Sequence, residues 1–410
     1  MDYQQTLEYL FRALPMYQRI GKSAYKKNLD NTLALCEALG NPQNKFKTVH
    51  VAGTNGKGSS SHMLSAILQS AGYKTGLYTS PHLKSFTERI RIDGDQITQQ
   101  AVIDFVNDHK VLIEEIKPSF FEITVAMAFD YFARQFVDIA VIEVGLGGRL
   151  DSTNVISPEV SLITNIGLDH QEMLGDTLEA IAVEKAGIIK KKVPVVIGKR
   201  QPETRVVFEK AAKKLNSPII FAEEAYSNNR NSFELQLKGN YQHQNVSGVL
   251  AVVNLLNANG FNISSDDIKY GLANTVDLTG IKGRWQKLQE QPLMICDTGH
   301  NVDGIQMILK QILRIPHKEL HIVWGMVDDK DSRPMLSLLP KDGKYYFCQA
   351  NVPRAKKAQL LYEEAGKFGF KGEIVEDVNN AIAAAKQQAN KDDLIFIGGS
   401  TFVIAEIADL

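Results

Sequence analysis

Hydrophobic and polar positions along the chain fall into two rhythms. Short apolar runs bounded by glycine, proline or small polar residues predict buried strands, and longer stretches with apolar residues three and four apart predict helices. The first apolar run contains Val49 and Val51, and helical spacing follows through Met63, Leu64, Ala66, Ile67 and Leu68. Further strands are predicted over residues 74–79, 138–144, 160–164, 193–197 and 218–221. Ahead of them, Leu7, Leu10, Phe11 and Leu14 predict a helix that Pro15 ends. Leu33, Leu35 and Leu39 predict a second helix before Gly40, with a polar loop over 16–25 between the two. From Leu293 onward, strand-like and helix-like segments take turns almost to the end. The succession predicts an α/β protein: an N-terminal P-loop-type domain with a mostly parallel sheet and helices over residues 1–283, and a smaller C-terminal Rossmann-like α/β domain over 284–410. The glycine-rich, basic stretch 279–285 is read as the hinge, and the second half lacks the GxGxxG of a dinucleotide site.

The stretch 48–59, TVHVAGTNGKGS, carries the strongest chemical signal. A strand runs into Gly53, Thr54, Asn55, Gly56, Lys57, Gly58 and Ser59, and a helix follows at once. Backbone N–H groups and the positive end of the helix dipole then converge on one anion, which glycines let approach closely. Lys57 would neutralise a terminal phosphate, and the Ser59 hydroxyl would touch a phosphate or its Mg²⁺. The usual P-loop string is not met, because Gly58 stands between the lysine and the hydroxyl residue. A plain glycine turn capping a helix is the bland alternative. Three glycines around one lysine outweigh it, and the stretch is read as a nucleotide-phosphate site.

Other residues stand out against their surroundings. Glu143 lies inside an apolar run, where a carboxylate is costly unless paired or metal-bound. Ser80 ends a predicted strand, although spacing alone makes it a turn residue before Pro81. His170 ends another strand beside Asp169 and is favoured as a metal contact over a structural histidine. Lys185 shares its helix with Leu178, Ile181, Ala182 and Ala186; burial there would favour a neutral amine, which can take up CO2. The amides of Gln242, Gln244 and Asn245 suit either an adenine edge or a helix cap. Arg284 offers a planar donor fork for phosphate.

Charge and composition narrow the classes. A net charge of −1 provides no basic surplus for nucleic acid. The three cysteines, Cys36, Cys296 and Cys348, have neither metal-ligand spacing nor a disulfide pattern. No apolar run approaches the ~20 residues of a membrane span, and the N-terminus shows no secretory pattern. A soluble, cytoplasmic monomer acting on small molecules is expected, without a nucleic-acid or membrane partner.

Several motifs together carry a resemblance: HVAGTNGKGS, TSPHL, EVGLGGRLDSTN, EKAGI, the spacing of Gly239, Gln242 and Asn245, and DTGHN at 297–301. From Tyr9 to Ser400 the chain resembles the folylpolyglutamate synthase and dihydrofolate synthase family of the Mur ligase superfamily. The resemblance implies ATP-dependent joining of L-glutamate to dihydropteroate, to the γ-carboxylate of reduced folates, or to both, through an acyl phosphate. It implies a pair of Mg²⁺ ions held by Ser59, Ser80, Glu143 and His170, and a carbamate on Lys185. Ser80, His82, Phe121 and Asp151 would meet the pterin substrate, and Asn245 the adenine. Arg284 would reach ATP phosphate, and Asp297 and His300 would face the nucleotide. Lys57, His170, Lys185 and Arg284 would carry the chemistry. Asp328, Lys330, Asp331, Arg354 and Ser400 would lie towards the amino acid. The chain departs from the family at Gly280, Ile281 and Lys282, which replace an aromatic-proline lead-in, and at Thr298 and Gly299, where the family has Gly and Ala. Rival readings are a Mur-type peptidoglycan ligase, a P-loop kinase or NTPase, and a non-catalytic binding module.

Overall fold

The computed structural model describes residues 1–14, 28–226, 232–328 and 331–410. The loop expected over 16–25 and Lys330 lie outside the described residues. Two compact units are present: Met1–Gln236 with Gln242–Gly280, and Leu237–Tyr241 with Ile281–Leu410. The division therefore falls at Gly280, and five residues from the N-terminal part pack with the second unit.

In the first unit the described strands are β1 (Lys47–Ala52), β2 (Thr75–Tyr78), β3 (Ile90–Ile92), β4 (Asp95–Gln96), β5 (Ile139–Glu143), β6 (Val160–Ile163), β7 (Val195–Ile197) and β8 (Ile219–Phe221). They form one sheet in the order β4-β3-β2-β5-β1-β6-β7-β8. All pairs are parallel except β2–β3 and β3–β4. The complete burial of the mainly apolar β5 and β6 fits this place, since strands at the centre of a parallel sheet are covered on both faces. The antiparallel β3–β4 hairpin was not expected; its two strands are too short to show a period. The helices Gln99–Asp108 and Lys110–Ile116 were likewise unexpected.

Register fixes where the functional edge lies. Val51 of β1 pairs with Glu143 of β5 on one side and Leu162 of β6 on the other. The carboxyl ends of all three strands consequently open at one level, the usual place for ligands in an open α/β sheet. The helix Lys57–Ser70 follows β1 and is buried from Gly58 to Leu68.

The second unit contains β9 (Gln286–Glu290), β10 (Leu293–Cys296), β11 (Leu320–Trp324), β12 (Lys344–Phe347), β13 (Gly372–Ile374) and β14 (Leu394–Gly398), ordered β13-β12-β11-β14-β10-β9. Only β9 runs antiparallel to its neighbour among these described strands. Trp324, Phe347, Phe396 and Ile322 fill one side of this sheet, with Ile305 and Ile312 from the helix Val302–Ile312.

Leu64 is fully buried where the helix Lys57–Ser70 meets its unit's core. Leu64→Ala is expected to destabilise the protein by about 2–5 kcal/mol, read as a lower urea midpoint by circular dichroism.

Candidate active site

The turn after β1 is held in place by the end of β6. Thr54 N donates to the Asn165 carbonyl at 2.9 Å, and Asn55 N to Asn165 Oδ1 at 2.8 Å. Gly167 N donates to Thr54 Oγ1 at 2.9 Å, and Thr164 Oγ1 to the Asn55 carbonyl at 2.6 Å. Gly53, at φ 148, lies so close to Thr164 that any Cβ would collide with its hydroxyl. Gly56, at φ 82, is the N-cap of the helix and sits equally tightly against Asn245. No side chain caps the helix start, so its first N–H groups remain available to an anion.

Two amines meet at this turn. Lys57 Nζ donates to the Gly53 carbonyl at 3.1 Å and to the Thr54 carbonyl at 3.3 Å. Lys185 Nζ donates to the same Gly53 carbonyl at 3.0 Å. Lys185 is 4% exposed on the helix Leu178–Ala186, whose N-cap is Thr177. Burial, with Lys57 adding to it, drives the Lys185 amine down from 10.5 to about 7, although Asp169 and Asp151 pull the other way.

Ser59 is buried within the first turn of the helix, and its hydroxyl accepts a hydrogen bond from Gln242 Nε2 at 3.1 Å. Asn245 Nδ2 donates to Gln242 Oε1 at 2.9 Å. Asn245 thus caps no helix: it sits inside the helix Gln242–Ala258 and leans on the glycine turn. Gln242 was named from sequence only as one of three amides. Its partnership with Ser59 spans 183 positions and left no local pattern.

Glu143 ends β5 and accepts from Ser80 N at 3.1 Å, which joins the ends of β5 and β2. His170 adopts a left-handed backbone, φ 51, at the start of the short helix Gln171–Leu174, with Nε2 3.9 Å from Asp169 Oδ1. His82 accepts from Arg89 Nε at 2.7 Å, so its proton sits on Nε2. Burial first, and then the Arg89 charge, holds His82 well below the ordinary histidine range. Phe121 lies against Gly145 and 6.2 Å from the Tyr78 ring. Asp151 is engaged inside the protein: it accepts from Leu146 N at 2.8 Å, Thr153 N at 3.0 Å and Thr153 Oγ1 at 2.5 Å. Burial pushes its carboxyl up, and those donors resist the rise.

In the second unit, Asp297 follows directly on β10 and is held in the same manner. It accepts from Tyr241 Oη at 2.6 Å, Trp285 N at 2.7 Å and Gly299 N at 2.8 Å. Burial pushes the Asp297 carboxyl up. Arg284 Nη1 donates to Thr298 Oγ1, and His300 Nδ1 lies 3.0 Å from the Thr298 carbonyl. Tyr241 was not picked out from sequence, because its partner is 56 positions away. Asp328 N bonds to the Arg354 carbonyl at 2.8 Å, Asp331 pairs with Arg333, and Ser400 caps the helix Thr401–Glu406.

Among the described residues, the group of three acidic or histidine side chains close enough to share one ion is Glu319, His321 and Asp393, at the opposite, starting ends of β11 and β14. Lys344 Nζ, 2.6 Å from Glu319, already supplies a cation there. The expected set of Ser59, Ser80, Glu143 and His170 relies on hydroxyls, and it lies on the edge where the anion cradle opens.

A glycine-opened helix start, with a lysine against its turn and a buried carboxylate at the neighbouring strand end, has the build of a nucleotide-phosphate site. The model of the Mur ligase middle domain matches residues 51–264, and that of the Mur ligase glutamate ligase domain matches residues 283–401. Dihydrofolate synthase/folylpolyglutamate synthase of Bacillus subtilis is 34% identical over 415 residues, covering 94% of this chain and 95% of that protein. The chain belongs to the dihydrofolate synthase/folylpolyglutamate synthase family. The structure of Escherichia coli FolC in complex with DHPP and ADP matches with a TM-score of 0.84 and 27% identity, over 99% of this chain and 96% of that one. The Yersinia pestis bifunctional folylpolyglutamate synthase/dihydrofolate synthase complexed with AMPPNP and Mn ion matches with a TM-score of 0.85 and 27% identity, over 99% and 97%.

The Lys185 amine has a definite pH signature. In the unfolded chain it stays charged up to about 10.5, whereas in the fold it is neutral above about 7. The unfolded state then binds more protons across that interval, so this group's cost is full below about 7 and falls as pH rises. In CO2-free buffer, Lys185→Met is expected to raise Tm most below pH 7, with the gain shrinking towards higher pH.

Proposed function

We propose that the chain ligates L-glutamate to a pterin carboxylic acid, dihydropteroate or the γ-carboxylate of a reduced folate, at the expense of ATP. The observation that carries this reading is the convergence of Lys57 and Lys185 on the Gly53 carbonyl, beside an uncapped helix start and the Glu143 carboxylate. Such a cradle suits the triphosphate of ATP: backbone N–H groups take the phosphate oxygens and Lys57 neutralises the transferred group.

The substrate carboxylate oxygen attacks the γ-phosphorus, the bond to the β-phosphate oxygen breaks, and ADP leaves. The amine of glutamate then attacks the acyl carbon, loses its proton, and expels inorganic phosphate. The chain's part is to align the reacting groups and neutralise charge. The donors Ser59, Ser80, Glu143 and His170 fit a hard divalent cation, which would supply further neutralisation of phosphate charge. A pair of ions is proposed for them. Phe121, His82 and the loop ending at Asp151 are proposed to receive the pterin. Asn245 is proposed to meet the adenine, and in the second unit Arg284, Asp297 and His300 form the proposed nucleotide-facing group. Residues 1–283 and 284–410 are the corresponding proposed domains.

Lys185 is proposed to carry a carbamate. Its neutral amine attacks CO2, a C–N bond forms, and one proton leaves to water. The product is an anion, so the repulsion from Lys57 becomes an attraction. The buried cysteine thiols fit the reducing cytoplasm proposed for this protein, acting as a monomer.

ADP release measured with dihydropteroate and with tetrahydrofolate, each with and without L-glutamate, tests the reading. Glutamate-dependent ADP release is expected with at least one acid, and its absence with both, or equal release without glutamate, refutes ligation. Lys57→Ala is expected to lower kcat by about 10²-fold or more. Loss of CO2 mass on acidification, seen in the parent and not in Lys185→Ala, is the expected mark of the carbamate.

A further inference from the structure

His50 lies on β1, three residues before the glycine turn, and is fully buried. Its Nε2 is 2.9 Å from Thr153 Oγ1. Thr153 Oγ1 donates to Asp151 Oδ1 at 2.5 Å, and Thr153 N donates to the same oxygen at 3.0 Å. The hydroxyl has one proton, which the carboxylate takes. His50 must therefore carry its own proton on Nε2 and donate it, leaving Nδ1 as a buried nitrogen without a partner. A histidine placed to satisfy itself would not leave that nitrogen bare. The arrangement satisfies Thr153 instead.

The chain of bonds continues outward. Asp151 Oδ2 accepts from Leu146 N at 2.8 Å, and Gly145 N adds a further bond to the carboxylate. These two amides begin the turn that follows Glu143 and Val144, and Gly145 is the residue against which the Phe121 ring rests. The far side of the same loop is tied to the helix of Lys185. Arg149 N donates to the Glu184 carbonyl at 2.8 Å, and Asn154 Nδ2 to the Gly187 carbonyl at 3.0 Å.

We propose that His50, Thr153 and Asp151 form a positioning relay, imidazole to hydroxyl to carboxylate, that sets the Gly145 and Leu146 turn as one wall of the pterin-acid pocket. With its acceptor sites filled from inside, Asp151 acts through the turn it holds. The relay rests on the ligase reading above, and it assigns His50 a role in binding the acid without one in binding ATP. His50 and Asp151 are both needed for the same two amides, so their effects must overlap.

The substitutions His50→Gln, His50→Asn, Thr153→Val and Thr153→Ser separate the relay from plain packing. Glutamine places an amide N–H near where Nε2 stands, whereas asparagine falls short. Steady-state ADP release, with the acid and ATP varied in turn, is expected to give a KM for the acid about tenfold higher in His50→Asn and Thr153→Val, a change of about 1.4 kcal/mol. KM for ATP stays within about twofold, the His50→Asn/Thr153→Val double variant is no worse than either single one, and His50→Gln and Thr153→Ser recover most of the parental value. Hydrogen exchange at the Gly145 and Leu146 amides, which needs no substrate, is expected to quicken in His50→Asn and Thr153→Val only. The relay is overturned if glutamine and asparagine behave alike, if KM for ATP rises in step with that for the acid, if the two single effects multiply, or if exchange at these amides is unchanged. A parent that releases no ADP with any pterin acid and glutamate refutes the ligase reading, and exchange then judges the hydrogen-bond relay alone.

Discussion

Two lysine amines meeting on one carbonyl oxygen is the constraint around which the first unit is arranged. Gly53 can accept from both Lys57 and Lys185 because β6 pins the turn through Thr164 and Asn165, and because nothing larger than hydrogen fits on its Cα. The Lys185 amine has lost water, and the Lys57 charge beside it raises the cost of charging it further. The arrangement is therefore poised for anions. An anion beside Lys57 would be attracted where a second ammonium is repelled.

The surrounding structure works to keep that turn in register. β1 lies between β5 and β6, so one strand end carries the glycine turn, its neighbour carries Glu143, and the other supplies Thr164 and Asn165. Gln242 and Asn245 come from a helix that starts far along the chain and lean on the same turn from outside. Three buried carboxylates differ in how they are used. Glu143 reaches across to Ser80 at the end of β2, whereas Asp151 and Asp297 are held by internal donors that each organise a turn.

Much of this could be read from the chain alone, for physical reasons that differ by element. The buried parallel strands advertise themselves as mainly apolar runs, and the glycine turn as a local string of three glycines around one lysine between a strand and a helix. Glu143 was conspicuous because a carboxylate inside such a run is costly. The β3–β4 hairpin escaped because strands of three and two residues show no period. Gln242 against Ser59, Tyr241 against Asp297 and His50 against Thr153 escaped for another reason. These bonds join residues 183, 56 and 103 positions apart, and no pattern along a sequence encodes such a meeting.

The second unit is not one continuous stretch of polypeptide. It takes in Leu237–Tyr241 and then resumes at Ile281, so the chain passes between the units three times. Tyr241 belongs to that inserted segment and bonds to Asp297, while Asn240 N and the Lys238 carbonyl bond to Gln311. A gene fragment starting at Ile281 would therefore encode a module missing its own brace: Asp297 would lose its phenolic donor, and the helix Val302–Ile312 would lose the backbone that Gln311 grips. During synthesis, likewise, the segment leaves the ribosome before the unit it packs with, and must wait for the rest of its module to follow.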